Sequence, residues 1–329
     1  MKNFGRLVLI IVCLCGLSAP VAQAQEVSQG FSAWLAQLRV DAISAGISSE
    51  TLDAALADIA EPQKKVVDLD LKQPEQTQSL QDYVATRVNE ERIAEGRRML
   101  RRYQTWLGRV EKKYGVQRRF IVALWGIESS YGRNTGNLPV IPALVTLAYD
   151  ARRGDYFRKE LLDALLIIDA GHIPLAQMQG SWAGAMGSFQ FMPSSYRHYA
   201  VDADGDGRID VWNSVPDALA SAANYLAKAR WQSDQTWGRP VKLPEQFDYS
   251  LGGLETRLLL SRWQQLGVRR SNGQSLPRRD LQASLIVPDG PGGPAYLTYS
   301  NFRSLRRWNR SNAFAVAVGT LADSYAVKK

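Results

Sequence analysis

The chain has 329 residues, 45% of them hydrophobic and 22% charged, with a formal net charge of +8. That balance belongs to a folded body of one large catalytic domain or two smaller ones; it excludes a disordered chain, a collagen-like repeat and a polytopic membrane protein. With two Cys and two His in the whole sequence, a metal centre of clustered Cys and His cannot form and a Ser–His–Asp triad has only two possible bases, so carboxylate chemistry comes forward.

Lys2 and Arg6 precede an apolar run from Leu7 to Leu17, and Ala22-Gln23-Ala24 supplies a small-x-small cleavage site. Residues 1–24 therefore read as a secretory signal cut before Gln25, and the chain is expected to be exported to the periplasm. The run falls short of the ~20 residues of a membrane span, and no later stretch qualifies, so the mature protein is expected to be soluble or peripheral to a membrane. Both Cys13 and Cys15 leave with the signal, and Leu14 stands where an acylated Cys15 would need a small neighbour. Cleavage removes Lys2 and Arg6 and no acid, which lowers the net charge from +8 to +6. A basic exported chain points to an anionic wall polymer or membrane surface, with charge kept for solubility as the bland alternative. Nucleic acid is not expected as a partner, because no recognised binding motif accompanies the signal.

The fold expected is mainly α, with a small antiparallel β insert at about 240–300. An N-terminal helical region, 25–79, carries an amphipathic pattern from Phe31 to Leu56 that predicts two helices, with Ser49 as an N-cap before Leu52, Leu56 and Ile59. Residues 60–79 are polar and contain Pro62 and Pro74. From Leu80 one long charged helix is predicted, with Leu100, Tyr103, Leu107, Val110 and Tyr114 as its buried stripe and Gly115 as its end. An apolar helix follows over Arg118–Ser130, then a loop marked by Gly132, Gly136 and Pro139, then helices at about 142–150, 155–170 and 214–230. Leu285-Ile286-Val287 and Tyr296-Leu297-Thr298-Tyr299 read as strands, with a helix over Gly253–Leu266 between the Pro/Gly-rich pieces. Ser300 or Asn301 is expected to cap a helix bearing Leu305 and Trp308, and Ala313–Val327 to close the chain as a last apolar helix. No repeat of fixed period is present.

On the helix Arg118–Ser130, Phe120, Leu124 and Ile127 share the core face, and Glu128 lies four residues after Leu124 and three after Trp125. A carboxyl bordered by apolar side chains is hard to ionise, and one that holds its proton near neutral pH suits a general acid for glycosidic cleavage. The same spacing also describes an ordinary residue at the border of a core.

Asp202-Ala-Asp204-Gly-Asp206-Gly207-Arg208-Ile209-Asp210-Val-Trp-Asn213 places carboxylates at positions 1, 3, 5 and 9, Gly at 6 and Ile at 8 of a twelve-residue EF-hand loop. Asp202, Asp204, Asp206, Asp210 and Asn213, with the Arg208 carbonyl, are the expected ligands of a structural Ca²⁺ or Na⁺. Asn213 stands where a bidentate Glu is usual, which implies fewer ligand oxygens and weaker binding. An Asp/Gly-rich turn without an ion is the alternative.

Glu128-Ser129-Ser130-Tyr131-Gly132, followed by the long block Gly180-Ser181-Trp182-Ala183-Gly184-Ala185-Met186-Gly187-Ser188-Phe189-Gln190-Phe191-Met192-Pro193-Ser194-Ser195-Tyr196, resembles the lytic murein transglycosylases of the membrane-bound B type. The resemblance runs from about residue 30 to 325, and Arg152-Arg153, Asp155-Tyr156-Phe157 and Trp308-Asn309 extend it. It implies a lysozyme-like helical core, residues 80–329, that cleaves the β-1,4 bond between N-acetylmuramic acid and N-acetylglucosamine in peptidoglycan. The product would end in 1,6-anhydro-muramic acid, with Glu128 as the single acid and base and no cofactor in catalysis. By the same resemblance Ser181 and Gln190 line the cleft at the N-acetyl group, Arg152 and Arg153 meet a muramyl carboxylate or peptide stem, and Tyr131, Tyr156, Tyr83 and Asn309 contact sugar; a pair of solvated arginines and aromatic side chains packed in the core are the alternatives. Trp308 departs from the Tyr expected there, which removes a hydroxyl and keeps a stacking face. Asp150, Asp155 and Glu160 read as helix-start and surface charges. A lysozyme-type muramidase and a non-catalytic peptidoglycan-binding protein are the rival functions. The expected partners are glycan strands, with assemblies of wall synthesis or hydrolysis as further candidates, and the protein is expected to be a monomer.

Overall fold

A computed structural model of the chain describes residues 19–72 and 78–326. The apolar core of the expected signal, along with Pro74 and Val327, lies outside the described residues. Helices α1 (Ala19–Ser44), α2 (Ser49–Leu56) and α3 (Lys64–Leu71) form the N-terminal region. They are followed by α4 (Leu80–Arg87), α5 (Glu90–Arg102), α6 (Gln104–Tyr114) and α7 (Arg118–Ser129). The middle of the chain holds β1 (Leu138–Pro139), α8 (Val140–Tyr149), α9 (Gly154–Asp169), β2 (Gln179–Gly180), α10 (Pro193–Tyr199) and α11 (Val215–Lys228). The insert comprises β3 (Gly238–Lys242), β4 (Leu258–Leu259), α12 (Leu260–Gln265), β5 (Arg269–Arg270), β6 (Gln282–Ile286) and β7 (Ala295–Thr298); α13 (Ser300–Trp308) and α14 (Asn312–Ser324) end the described chain.

The mainly helical expectation with a small antiparallel insert is what the structure has. Helix α7 is its axis: every residue from Phe120 to Ile127 is buried. A helix apolar all round needs cover on all sides, and α5, α6, α11 and α14 provide it. Phe31, Leu38, Leu52 and Val66 of the N-terminal helices are buried in the same core as α7, α8 and α9. The insert has its own core of Val241, Leu260, Trp263, Leu285, Leu297 and Tyr299 beneath a five-stranded antiparallel sheet of order β4-β6-β7-β3-β5. Among the described residues no helix is long and apolar enough to cross a membrane.

Several boundaries differ from the sequence reading, each for a local reason. Ser48, not Ser49, caps α2: its hydroxyl accepts from the Thr51 N–H at 3.2 Å and donates to Asp169, tying α2 to the end of α9. The polar stretch after Pro62 contains α3, whose Val66 is fully buried. The long helix from Leu80 is three helices. Asn89 interrupts it by accepting from the Arg92 N–H at 2.9 Å, a capping bond that competes with helix continuation. Tyr103 makes the second break, and of the predicted stripe Leu107 and Val110 are fully buried. Gly115 ends α6 in the left-handed conformation (φ 70°), as expected. Over Gly253–Leu266 only Leu260–Gln265 is helical, because Gly253 turns at φ 111° and Leu258–Leu259 pair with β6. Ser300 is the first residue of α13, not its cap. Asn301 is buried and holds the Gln232 segment instead, accepting from Gln232 N–H at 2.7 Å and donating to its carbonyl at 2.9 Å.

Candidate active site

Helix α7 stops one residue after Glu128. Ser130, Tyr131 and Gly132 follow with φ of 51°, 63° and 84°. Among the described residues only four that are not Gly have positive φ, and three of them, Ser130, Tyr131 and Gln190, stand in the two motif segments. Left-handed backbone at non-Gly positions is held by its surroundings and gathers at functional sites. The Ser129 hydroxyl holds this end in place, donating to the Ser188 carbonyl at 2.5 Å and accepting from the Gly132 N–H at 2.8 Å. Strands β1 and β2 pair alongside, and the two backbones cross so closely that a Cβ at Gly136 would lie 2.1 Å from the Gly180 carbonyl.

Glu128 is half-buried. Its Oε1 accepts a hydrogen bond from the Trp308 indole N–H at 2.7 Å, a contact between residues 180 positions apart. Burial pushes the Glu128 pKa up from 4.5 to about 7, against the opposing pull of the Trp308 bond and of the Arg87 charge. An acid poised at this value is half protonated at neutral pH and can give and take a proton. Trp308 is fixed by Phe191 and Tyr225, whose ring centroids lie 5.1 and 4.6 Å away, and Phe189 bridges it to Trp125 of α7.

Of the other residues expected at the site, Tyr83 is brought to Glu128. The Glu128 charge is among the causes that raise the Tyr83 pKa, after burial, and the Arg87 guanidinium lies 5.4 Å from its ring centroid. Ser181 sits in a tight turn in which its hydroxyl accepts from the Ala185 N–H at 3.1 Å. The Gln190 amide donates to the carbonyls of Thr135 and Gly187 at 3.0 and 2.9 Å, so it ties the two motif loops together. Tyr131 is buried: its ring lies over Gly126, where a Cβ would come within 2.7 Å, and its hydroxyl donates to the Arg92 carbonyl at 2.6 Å. It supports α7 from within, where a sugar-facing ring was expected. Asn309 is exposed and accepts from the Ser311 N–H at 2.9 Å.

Arg152, Arg153 and Tyr156 lie together in a pocket of about 560 Å³ whose lining also includes Trp34 but not Glu128. Both guanidiniums pair with the buried Asp70 of α3. Arg152 also pairs with Asp150 at 2.7 Å, which holds the Asp150 carboxyl below its usual range. Glu160 is buried, contrary to its reading as a surface charge; it accepts from Ser194 N–H and Oγ–H at 2.9 and 2.7 Å and anchors α10.

In the acidic loop, the carboxylates that converge are Asp202, Asp204 and Asp217, with oxygens within 4.8 Å of one another. Asp217 was missed: it lies past the twelfth loop position, in the first turn of α11, where an acid reads as a helix-start charge. Its burial is the signal that separates it from one. It closes the loop by accepting from the N–H groups of Ala203 and Asp210 at 2.8 and 2.9 Å. Asp206 accepts from the Arg208 N–H at 2.8 Å, while Asp210 is engaged by Trp212 N–H and by the Asn213 amide, at 2.9 and 3.0 Å. The carboxylates of Asp206 and Asp210 thus bond locally, outside the converging trio. The loop braces the site: Ser188 N–H donates to the Val211 carbonyl at 3.0 Å and the Trp212 indole to the Gln179 carbonyl at 2.9 Å.

Residues 30–323 match the family described as Transglycosylase SLT domain. The chain is 37% identical over 235 residues to membrane-bound lytic murein transglycosylase B of Escherichia coli K12, spanning 69% of this chain and 62% of that protein's length. The structure of SltB3 from Pseudomonas aeruginosa in complex with NAG-anhNAM-pentapeptide superposes with a TM-score of 0.86 at 44% identity, over 90% of this chain and 79% of that one. The Escherichia coli lytic transglycosylase Slt35 in complex with calcium gives a TM-score of 0.75 at 30% identity, over 88% and 92% of the two chains. A helical core with a half-buried Glu at the end of its central helix, a pinned glycine-rich loop and a match over nearly its whole described length make this chain a member of the transglycosylase SLT domain family.

Proposed function

We propose that the protein is an exported lytic transglycosylase that cuts the β-1,4 bond between N-acetylmuramic acid and N-acetylglucosamine in peptidoglycan and leaves a 1,6-anhydro-muramic acid end. The observation that carries this reading is the lone carboxyl of Glu128, shielded among apolar side chains to a pKa of about 7 and held by a fixed donor. One such group suffices. It protonates the leaving oxygen as the glycosidic bond breaks, the substrate's N-acetyl group assists at the anomeric carbon, and the resulting carboxylate takes the proton from the C6 hydroxyl as that oxygen closes the ring. The SltB3 structure is described with an anhydro-muramyl ligand, which supports the same product class here. Ser181 and Gln190, on the loop pinned to α7, are suited to the N-acetyl group; Tyr83 and Trp308 flank the carboxyl, and Arg152, Arg153, Tyr156 and Asn309 are further candidates along the substrate.

The acidic loop fits a hard cation, and calcium is favoured by the Slt35 complex. Asp202, Asp204 and Asp217 would hold it, with the remaining loop residues shaping the turn. Such an ion would stiffen the frame behind Ser188 and take no part in the chemistry. A monomer acting on glycan strands in the periplasm, alone or beside wall-building enzymes, completes the reading.

The test is mass spectrometry of the soluble products from purified murein sacculi, with the protein and its Glu128→Gln variant. Anhydro-muropeptides lost in the variant are the expected result. Reducing-end products would make the protein a muramidase, and no products from either would make it a wall-binding protein.

A further inference from the structure

We infer that Trp308 is a positioning residue that assigns the two oxygens of Glu128 different tasks, fixing Oε1 as a permanent acceptor and leaving Oε2 as the one oxygen that carries the catalytic proton. The inference rests on the transglycosylase reading and deepens it. An indole has one N–H and no lone pair available as an acceptor, so it can only donate. At 2.7 Å from Oε1 it occupies that oxygen in both charge states of the carboxyl. A tyrosine hydroxyl at the same place could rotate, donate or accept, and would leave the proton's position open. The indole cannot turn away, because its ring is enclosed by Phe189, Phe191 and Tyr225, and the Tyr225 hydroxyl is itself tied to the Arg307 carbonyl at 2.8 Å.

A single proton-bearing oxygen suits an intramolecular closure. In the first step the proton leaves Oε2 for the glycosidic oxygen, which takes the electron pair of the breaking C1–O bond while the acetamido oxygen bonds to C1. In the second, the C6 oxygen displaces the acetamido oxygen from C1 and its proton passes to Oε2. The leaving oxygen departs from, and the C6 oxygen arrives at, the same face of the sugar ring, so one oxygen serves both transfers and the carboxyl need not rotate between them. The other groups that act on Glu128 electrostatically are Arg87 and Tyr83, both on α4. Neither is altered in the test.

Two replacements remove the donor: Trp308→Phe, and incorporation at 308 of benzothienylalanine, which keeps the bicyclic shape and has sulfur in place of N–H. The free-enzyme pKa of Glu128 is read from the pH dependence of kcat/KM for anhydro-product release from sacculi. It is read independently by carbon NMR of labelled glutamate, with Glu128→Gln identifying the resonance. Losing a hydrogen bond to a charged group is expected to raise the Glu128 pKa by about one to two pH units in both variants, with kcat falling more than KM changes. A pKa in the benzothienylalanine protein within about 0.3 units of the wild type, a shift far below one such bond, overturns the inference. So does a raised pKa with kcat unchanged on the acid plateau. If wild-type protein releases no anhydro ends, the transglycosylase reading fails while the NMR titration still decides the Trp308 bond.

Discussion

Glu128 and the carboxylates of the acidic loop have opposite surroundings, one suited to a proton and the other to a cation. Glu128 stands alone at the end of α7 with an indole donor and a wall of aromatic side chains, and the cheapest way to neutralise it is a proton. Asp202, Asp204 and Asp217 lie within 4.8 Å of one another, Asp202 and Asp217 held by backbone N–H groups and Asp204 by the Ser214 hydroxyl, and three anions at that spacing suit a cation. What a carboxyl does is set by how many others share its space and by whether the backbone has already turned donors towards it.

The largest effect expected from breaking this contrast is at Glu128. The Glu128→Gln protein keeps the Trp308 bond to an amide oxygen and folds, yet release of anhydro-muropeptides should fall by about 10²–10⁴-fold, the usual contribution of a positioned proton donor. The same substitution separates function from stability. A carboxyl whose folded pKa is raised from 4.5 to about 7 binds its proton more tightly in the folded state. Between those values the folded protein holds more protons than the unfolded chain, so stability falls as pH rises through the window and is level above it. Glu128→Gln removes that loss, and above pH 7 the variant is expected to be more stable than the wild type by up to about 3 kcal/mol, read from urea midpoints across pH. Equal pH slopes for the two proteins would mean that Glu128 is not held in a dry site.

Much of the helical frame, and the place of Glu128 at the end of its central helix, were legible in the sequence. Phe120 to Ile127 form so continuous an apolar run that α7 had to be central, and the spacing alone put Glu128 at its border. What was not legible depended on distant contacts. Trp308 reaches Glu128 across 180 positions, and no local pattern reveals that its N–H points at a carboxyl. The resemblance places Tyr131 against sugar, but a left-handed turn sends it back over Gly126 into the core. Asp217 is not legible from the twelve-residue loop pattern, because it converges on Asp202 and Asp204 from the first turn of α11, beyond the twelfth position.

The cation side of the comparison gives the next effect. With Ca²⁺ at 100 times its Kd, the folded state should gain about 2.7 kcal/mol. That raises the Tm by roughly 4 °C in a scanning-calorimetry experiment. Asp217→Asn should remove most of this shift and leave the Glu128 titration where it was. If calcium raises the Tm of the variant as much as that of the wild type, the ion is held elsewhere.

The smallest expected effect concerns a third arrangement, in which a carboxylate is neutralised by neither proton nor metal. Asp70 is buried, with 5% of its side chain exposed, between Arg152 and Arg153, which are about half exposed. Water can take over for the arginines but not for a buried anion, so Asp70→Asn, which keeps the shape and removes the charge, should cost only about 1 kcal/mol and lower the Tm by roughly 1 to 2 °C. Its value lies in freeing the Arg153 guanidinium and loosening that of Arg152, which keeps its pairing with Asp150. If they bind the carboxylates of peptide stems, the variant's KM should change on intact sacculi and stay constant on glycan stripped of its peptides. Equal behaviour on the two substrates would confine Arg152 and Arg153 to fastening α3 against the turn before α9, leaving recognition to the residues around Glu128.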